Sequence, residues 1–452
     1  MMTCLWMRWW CALLLCGGMI IGDVVLAGQN ASQAQQSGRR LRKRRRGKRR
    51  GKRAAAKRPQ RRRRRGARQP GMTARENVPY FSKTICKFYD DDQLQRRVDN
   101  NKNEVIWEWK GDAFNELIAS WNALRPDQGY ITILVSVLHN GWRPYHRLAE
   151  WGCAGQQTFM NKLNPVVHTK HCRVELQRGL LAHGFRIKAV CHDGATIDCL
   201  KAMFGCISRT NHQKIVVPDR QLSSIMLKTG VVGISQMKIN DPRCKDMCSP
   251  TSTAMLVSYH HQRFFGQRPA SSMVQYAHRF AKNVHDQGYL NIFGNWILNT
   301  AHAFHELKGK VFFSVQRLNS FYHLHDHLHK HKTPVVVSVR RLPGGATPYA
   351  NGHLIMVVGF DSATRRVVCL DPAFGSHKAT LKSYPLVPFL QAWGRSNNLS
   401  YVPLLKDAVM ERLDLQDVQA SSELVVKNLT FTPEPLAPTA RILPIELVDQ
   451  LV

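Results

Sequence analysis

The sequence lacks the features that would assign it at once to a zinc-binding, membrane-spanning or base-reading class. No two cysteines have the Cys-x-x-Cys spacing, so a structural zinc site is not expected. The apolar segment near the N-terminus is too short to cross a bilayer and is followed by Asp23. Acidic residues are scarce, with 31 Asp and Glu against 65 Lys and Arg. The formal net charge is therefore +34. Which kind of partner this charge indicates depends on where in the chain the basic residues lie.

The positive charge is concentrated in one basic segment, because 19 Lys or Arg residues lie between Arg39 and Arg65. Residues 28–76 otherwise contain Gln, Ser, Gly and Ala without apolar periodicity, which predicts a disordered polybasic arm. Such an arm is either a solvated tail or a non-specific binder of polyanions and anionic surfaces through Arg39–Arg65. No aromatic residue is interleaved to stack on bases, so no specific nucleic acid is predicted as a partner.

Residues 1–27 are typical of a secretory signal peptide. Arg8 precedes the short apolar core, and Val25-Leu26-Ala27 fits the small-residue cleavage rule. This pattern predicts a secreted or periplasmic protein. The basic arm that follows opposes translocation, so a membrane anchor with the arm on the cytoplasmic side is the alternative.

The chain has 12 cysteines, of which three fall in the predicted signal peptide and one, Cys248, is a candidate nucleophile. The remaining eight permit up to four disulfide bonds, but the sequence does not determine their pairing. They are Cys86, Cys153, Cys172, Cys191, Cys199, Cys206, Cys244 and Cys369. The alternative is a set of scattered buried thiols.

Two regions of different periodicity follow the arm. From residue 77 to 222, alternating segments such as Ile131–Val137 and Phe185–Cys191 predict an antiparallel β-sandwich-like domain. From residue 223 to 405, helical segments mix with the continuous apolar runs Val335–Val339 and Leu354–Phe360, which are typical of strands covered on both faces. The fold is thus predicted to be α+β, with a C-terminal tail over residues 406–452.

Tryptophan is frequent in the first of these regions. Core packing is the preferred explanation, and a platform for a carbohydrate or a peptide is the alternative. The residues are Trp107, Trp109, Trp121, Trp142 and Trp151.

Cys248 precedes a strongly helical segment. Ser249 is a favourable N-cap residue, Pro250 is favoured at the first helical position, and an apolar run follows. A cysteine at this place lies near unpaired N–H groups and the positive end of the helix dipole, which lower the pKa of a thiol. By itself such a position usually belongs to a packed or disulfide-bonded cysteine, so the interpretation as a nucleophile depends on finding a base.

The chain has 20 histidines, and several can be excluded as that base. If the helix runs through His260 and His261, these residues lie about 18 Å along its axis from Cys248. The tract His323–His331 could place two histidines on one helix face and bind Zn²⁺, but its leucines form an apolar stripe, so the histidines are expected on the solvent side. Neither group is therefore expected to act on Cys248, and no metal or cofactor is predicted.

His353 is the better candidate. It opens an apolar strand that leads through the turn-like segment Asp361–Arg365 to a second strand, which ends at Asp371. Residue 362, in the turn, is the midpoint between His353 and Asp371. An antiparallel hairpin would therefore place the two side chains opposite each other, with their Cβ atoms about 5 Å apart. A bulge would shift this register.

A set of short motifs in a fixed order accompanies these residues. The set resembles papain-like cysteine peptidases related to the bacteriocin-leader-processing (double-glycine) peptidases, and in particular a secreted subgroup with an upstream β-rich domain. The resemblance covers roughly residues 233–404. The motifs are Ser235-Gln236, Cys248-Ser-Pro-Thr-Ser252, Gly294-Asn-Trp296, Asn299-Thr-Ala301, Gly352-His353 with the strand to Phe360, and Asp371-Pro-Ala373.

The resemblance implies a role for each site residue. Cys248 would be the nucleophile, His353 the general base and acid, and Asp371 the group that orients the imidazole. Gln236 would help to stabilise the oxyanion, although an ordinary loop amide is the alternative. Ser249 departs from the family pattern, in which glycine usually follows the cysteine.

The sequence as a whole predicts a cysteine peptidase that acts on a peptide or protein substrate through a thioester. A thiol acyl or amide transferase on the same fold is the first alternative. A non-catalytic protein that binds anionic surfaces with a degenerate peptidase domain is the second. The sequence does not determine the oligomeric state.

Overall fold

The computed structural model describes residues 81–100, 102–162, 164–209, 218, 221–269, 271–405 and 423–426. The predicted signal peptide, the polybasic arm and most of the predicted C-terminal tail lie outside these residues. The described residues belong to one compact unit.

The described residues contain nineteen strands and six α-helices, so the structure is mixed α/β and rich in sheet. The first eleven strands are β1 (Phe81–Phe88), β2 (Glu104–Phe114), β3 (Glu116–Ala123), β4 (Tyr130–Val137), β5 (His146–Gly152), β6 (Gln156–Thr158), β7 (Met160–Asn161), β8 (Val167–Lys170), β9 (Arg173–Leu176), β10 (Ala182–His192) and β11 (Leu200–Arg209). The others are β12 (Ile225–Met226), β13 (Val311–Arg317), β14 (Val335–Val339), β15 (His353–Asp361), β16 (Arg366–Leu370), β17 (Leu381–Pro385), β18 (Leu399–Leu405) and β19 (Glu423–Val426). The helices are α1 (Asp91–Asp99), α2 (Cys248–Phe265), α3 (Met273–Asn283), α4 (Trp296–Glu306), α5 (Phe321–His329) and α6 (Leu386–Gly394).

The β-rich region forms two antiparallel sheets. One has the order β19-β1-β11-β3-β9-β8-β7, and the other has the order β2-β10-β4-β5-β6. The predicted strands Ile131–Val137 and Phe185–Cys191 lie within β4 and β10, which pair with each other. The two sheets meet where Phe185 packs on Gly205, since a Cβ atom at Gly205 would overlap the phenylalanine ring.

The third sheet has the order β13-β18-β14-β15-β16-β17. The short strand β12 pairs with the C-terminal end of β15. Its central strands are covered on both faces, as the continuous apolar runs predicted. In β15, Leu354, Met356 and Val358 face the core that also contains α2 and α4. Ile355 and Val357 face a second core that includes residues of α5 and α6. The sheet is therefore a rigid layer between two groups of helices.

The tryptophans of the β-rich region support the core-packing interpretation. Trp107, Trp109, Trp121 and Trp151 are buried, whereas Trp142 is half-buried between the cations Lys110 and Arg186.

All nine cysteines in the described part of the chain are free thiols. The disulfide bonds that the cysteine count permits are therefore absent from these residues. The thiols of Cys191 and Cys199 share a hydrogen bond. None of the helices in the described part of the chain combines the length and apolar character that a membrane crossing requires.

Candidate active site

Cys248 is the first residue of α2, and Met247 precedes it as the N-cap. The predicted N-cap at Ser249 is wrong, because the helix begins two residues earlier than that N-cap requires and Ser249 lies inside it. The Ser249 hydroxyl is buried and lies 2.9 Å from the hydroxyl of Tyr401. A serine thus fits beside the nucleophile position without needing the backbone freedom of glycine. Cys248 as a residue is half-buried.

A hydrogen bond fixes the first turn of α2 against β15. The hydroxyl of Ser252, one turn after Cys248, donates to the carbonyl oxygen of Leu354 at 2.9 Å. The Leu354 backbone N–H and the Ser249 backbone N–H both donate toward the Cys248 sulfur. The strand that carries His353 and the helix that carries Cys248 are therefore held in contact at the point where the two side chains meet.

His353 is the first residue of β15, and Asp371 follows the last residue of β16. The predicted direct opposition of the two is wrong. Met356 pairs with Leu370, and the register shifts between Val357 and Gly359, where an extra residue forms a bulge. The Met356–Leu370 register would place Asp371 opposite Ile355, two residues from His353 on the same strand face. The imidazole still reaches the carboxylate diagonally, with 2.8 Å between His353 Nε2 and Asp371 Oδ1.

The other ring nitrogen of His353 is left for the cysteine, and the two side chains are hydrogen-bonded. His353 and Asp371 are buried. The structure thus brings together Cys248, His353 and Asp371 in one connected row, as the sequence predicts.

The electrostatics of this row favour a thiolate beside an imidazolium. Burial raises the pKa of the Cys248 thiol, but the charge and hydrogen bond of His353 outweigh it, and the pKa lies below that of an ordinary cysteine. Burial lowers the pKa of His353, but the negative charge of Cys248 and the hydrogen bond to Asp371 raise it to about 9. Asp371 is held below its usual pKa, because donated hydrogen bonds outweigh its burial.

Two tyrosines at the site were not predicted. The hydroxyls of Tyr349 and Tyr384 both donate to Asp371 Oδ2 at 2.8 Å. Tyr349 lies 22 residues before Asp371 in the chain, and Tyr384 lies 13 residues after it. No periodicity or spacing in the sequence connects them to the carboxylate, so only the tertiary structure reveals the contacts.

Gln236 lies in the loop next to Asp371, where its backbone N–H donates to the carbonyl oxygen of Pro372 at 2.9 Å. Its side-chain nitrogen donates to the carbonyl oxygens of Cys244 and Lys245 at 3.0 and 2.9 Å. Both amide hydrogens therefore have partners in this structure. The predicted oxyanion role requires one of these bonds to be released when a substrate binds, and it stays a prediction.

The Gly294-Asn295-Trp296 motif has a structural role. The Asn295 side chain donates to Asp286 at 2.8 Å and to Thr158 in the β-rich region at 2.9 Å. The Asn299 side chain in turn donates to the carbonyl oxygens of Phe293 and Asn295. The motif thus shapes the entry to α4 and attaches it to β6.

The histidines that the sequence analysis excludes as the base lie away from the row of Cys248, His353 and Asp371. His260 is inside α2, buried against Phe264, and burial lowers its pKa to about 3. In the tract at α5, His325 is buried and lies 2.8 Å from the carbonyl oxygen of Ser223, so the expectation that all these histidines face solvent is wrong. Among the described residues, no group of three His, Cys, Asp or Glu side chains is arranged to hold a metal ion.

One comparison with known proteins gives a match. The model of the Peptidase_C39 like family matches residues 228–401, a segment that contains Gln236, Cys248, His353 and Asp371. The resemblance found in the motifs is therefore confirmed over this segment. No curated protein and no solved structure matches the chain.

Proposed function

With residues 228–401 identified as a Peptidase_C39-like domain, we propose that the chain is a cysteine peptidase with Cys248 as nucleophile, His353 as base and Asp371 as orienting group. One observation carries this proposal. The thiol of a half-buried cysteine at the start of a helix has a lowered pKa and is hydrogen-bonded to a buried histidine that a carboxylate orients. This is the arrangement that activates a cysteine for acyl transfer.

The reaction follows from these groups. The Cys248 thiolate attacks the carbonyl carbon of a peptide bond and forms a tetrahedral oxyanion. The imidazolium of His353 protonates the leaving nitrogen as the C–N bond breaks, which leaves a thioester on Cys248. Neutral His353 then removes a proton from water, and the resulting attack on the thioester releases the acid and regenerates the thiolate.

Two groups are proposed to stabilise the oxyanion. The backbone N–H of Cys248 is at the first position of α2, where helical hydrogen bonding does not use it. Gln236 would supply the second donor if a substrate draws one of its amide hydrogens away from Cys244 or Lys245.

Peptide cleavage tests the proposal. A mixed peptide library is incubated with the purified chain, and new termini are identified by mass spectrometry. Cleavage is expected from the wild type and from Cys153→Ala, which removes an exposed thiol elsewhere, but not from Cys248→Ala or His353→Ala. Equal cleavage by Cys248→Ala would contradict the proposal.

The same experiment distinguishes the alternative functions. An added amine would trap the thioester as an amide if the enzyme is an acyl or amide transferase, whereas a hydrolase would give mainly the free acid. A degenerate, non-catalytic domain would give neither product and would leave Cys248 unmodified.

We also infer that the two sheets of the β-rich region form a β-sandwich-like domain upstream of the peptidase domain, over residues 77–222. The packing of Phe185 on Gly205 across the two sheets supports this interpretation. Secretion after removal of residues 1–27 remains a proposal from the sequence, and the mass of the mature N-terminus tests it.

The polybasic arm is proposed to bind anionic polymers or surfaces non-specifically. Deletion of residues 28–76 is expected to abolish salt-sensitive binding to heparin while peptide cleavage is unchanged. Loss of cleavage together with binding would contradict the proposed separation of the arm from the catalytic domain.

A further inference from the structure

Two buried tyrosines approach Asp371 at the carboxylate oxygen that His353 does not use. We propose that Tyr349 and Tyr384 are positioning residues, which hold the Asp371 carboxylate and the His353 ring in the geometry that lets the imidazole hydrogen-bond the Cys248 thiol. The inference rests on the proposed function and assigns two further residues to its site.

Asp371 is saturated with hydrogen bonds. Its Oδ1 accepts from His353 Nε2 at 2.8 Å and from the backbone N–H of Ala373 at 3.1 Å. Its Oδ2 accepts from the hydroxyls of Tyr349 and Tyr384, each at 2.8 Å. The carboxylate cannot rotate toward or away from the imidazole without breaking bonds to several elements at once. Hydrogen bonds to a charged acceptor are among the stronger ones in proteins, so this cost is considerable.

Tyr349 also contacts the imidazole directly. Its ring stacks on that of His353, with 4.0 Å between the ring centroids and 16° between the planes. The aromatic face covers one side of the imidazole and favours its cationic form. One tyrosine thus fixes both partners of the pair: the hydroxyl holds the carboxylate, and the ring holds the plane of the histidine.

The loop that carries Tyr349 is shaped around this side chain. Tyr349 has a backbone φ of 47°, in the left-handed region that bulky residues rarely adopt. Its hydroxyl accepts a hydrogen bond of 2.8 Å from the backbone N–H of Ala346. A Cβ atom at Gly345 would overlap the tyrosine ring, so only glycine fits there. Strained backbone of this kind persists where the surroundings impose it, often at functional sites.

Tyr384 comes from a different element. It lies in β17, opposite Val367 of β16, and is buried. Both tyrosines remain protonated donors, because burial and the nearby Asp371 raise the pKa of each hydroxyl. Two donors from separate elements converge on Oδ2 and match its two acceptor positions, as Ala373 and His353 match those of Oδ1.

Three substitutions separate the effect of the tyrosine hydroxyls on Asp371 from the effect of the Tyr349 ring on His353. Tyr349→Phe and Tyr384→Phe each remove one hydroxyl and keep the ring, whereas Tyr349→Leu removes the hydroxyl and the stacking. Tyr259→Phe is the matched control, because it also deletes a buried tyrosine hydroxyl, one that bonds the carbonyl oxygen of Lys332 away from the site. Circular dichroism and thermal melting of each variant verify that it is folded.

The readout is the ionisation of Cys248, which needs no substrate. Thiolate absorbance is titrated for each protein, and the titration of the same protein carrying Cys248→Ala is subtracted. The midpoint is expected to rise by about half a pH unit or more in each Phe variant, a loss of roughly threefold or more in thiolate stability. Tyr349→Leu is expected to raise it further, and Tyr259→Phe is expected to titrate as the wild type.

The outcomes distinguish this inference from the proposed function. If the wild-type midpoint equals that of an ordinary cysteine, the proposed function fails. If the wild-type midpoint is low and the tyrosine variants share it, the positioning role is overturned while the proposed function stands. If Tyr349→Leu does not fold, the two Phe variants decide the question alone.

Discussion

The reactivity of Cys248 depends on a proton that the thiol and His353 share between them. The lowered pKa of the thiol and the raised pKa of the imidazole describe one ion pair, because each charge stabilises the other. In the pH range between the two transitions, the pair holds a single proton, on His353. In the proposed reaction, this is the form that attacks a peptide carbonyl.

A bell-shaped pH profile is therefore expected for kcat/KM on any cleaved peptide. Activity falls at low pH when the thiolate is protonated, at a pH below the ordinary range for cysteine. It falls again as pH rises through about 9, when His353 loses the proton that the leaving nitrogen needs. Initial rates across this range measure both limbs. An alkaline limb that persists in His353→Ala would contradict the assignment.

Gln236 has two possible roles that its substitution separates. If it stabilises the oxyanion, Gln236→Ala should lower kcat about a hundredfold and leave the alkylation rate of Cys248 by iodoacetamide unchanged. If it only holds the loop at Cys244 and Lys245, alkylation and turnover should change together. Steady-state kinetics and mass spectrometry of alkylated Cys248 measure the two quantities on the same sample.

The side chains proposed to react could largely be predicted from the sequence, and their supporting partners could not. Cys248, His353 and Asp371 follow from helix-start chemistry, a hairpin and ordered motifs. Tyr349 and Tyr384 carry no such signal, because a hydroxyl that bonds a carboxylate across a fold leaves no pattern in its neighbours. The orientation of the Gln236 amide likewise depends on two carbonyl groups that the sequence does not place.

Helix α2 and strand β15 position the reacting pair, and Ser252 links them. Ser252→Ala should lower the free energy of unfolding by about 1–2 kcal/mol and slow the alkylation of Cys248, since the helix start can then shift from Leu354. Ser258→Ala is the matched control, because this buried serine of the same helix contacts only the weak acceptor sulfur of Met273 at 3.7 Å. Denaturant unfolding compares them, and equal losses from both variants would count against the link.

Among the predictions about helices and strands, the register between β15 and β16 was the weakest. The hairpin itself, the buried character of β14 and β15 and the side of the strand on which His353 and Asp371 meet all follow from the pattern of apolar residues. The bulge between Val357 and Gly359 does not, because one extra residue changes pairing without changing composition. The start of α2 was misplaced by two residues, because Ser249 and Pro250 favour an N-cap at Ser249 whereas the helix begins at Cys248.

The β-rich region and the third sheet are joined by buried polar contacts. The guanidinium of Arg317 in β13 binds the carboxylate of Glu116 in β3, and both side chains are almost fully buried. Asn122 of β3 exchanges two hydrogen bonds of 2.7 Å with the backbone of Phe313 in β13. These contacts, with one continuous core, make residues of both regions part of a single compact unit.

Glu116→Gln should therefore destabilise the whole unit. Removal of the carboxylate leaves the buried Arg317 without its counter-charge, which costs about 3 kcal/mol in the free energy of unfolding. Asp112→Asn, which breaks the exposed pair with Lys83, should cost less than about 1 kcal/mol. Denaturant unfolding is expected to remain one cooperative transition, and loss of the β-rich region alone in Glu116→Gln would contradict the coupling.

The sequence predicts the presence of a β-rich region, a mixed α/β region and the family of the latter. It does not predict how the first packs on the second, because contacts such as that of Glu116 with Arg317 span 201 residues of chain. Local periodicity reports which face of a strand is buried, not what covers it. For the same reason the structural role of Asn295, which binds Thr158 across the two regions, required the folded structure.

The central claim, that His353 activates Cys248, is tested most directly by the rate at which iodoacetamide alkylates this thiol at about pH 6, where an ordinary cysteine is almost entirely protonated. The native protein is expected to react at Cys248 at least tenfold faster than the same residue in the unfolded chain, and His353→Ala is expected to abolish the difference. Equal rates for the native and unfolded wild type would contradict the claim.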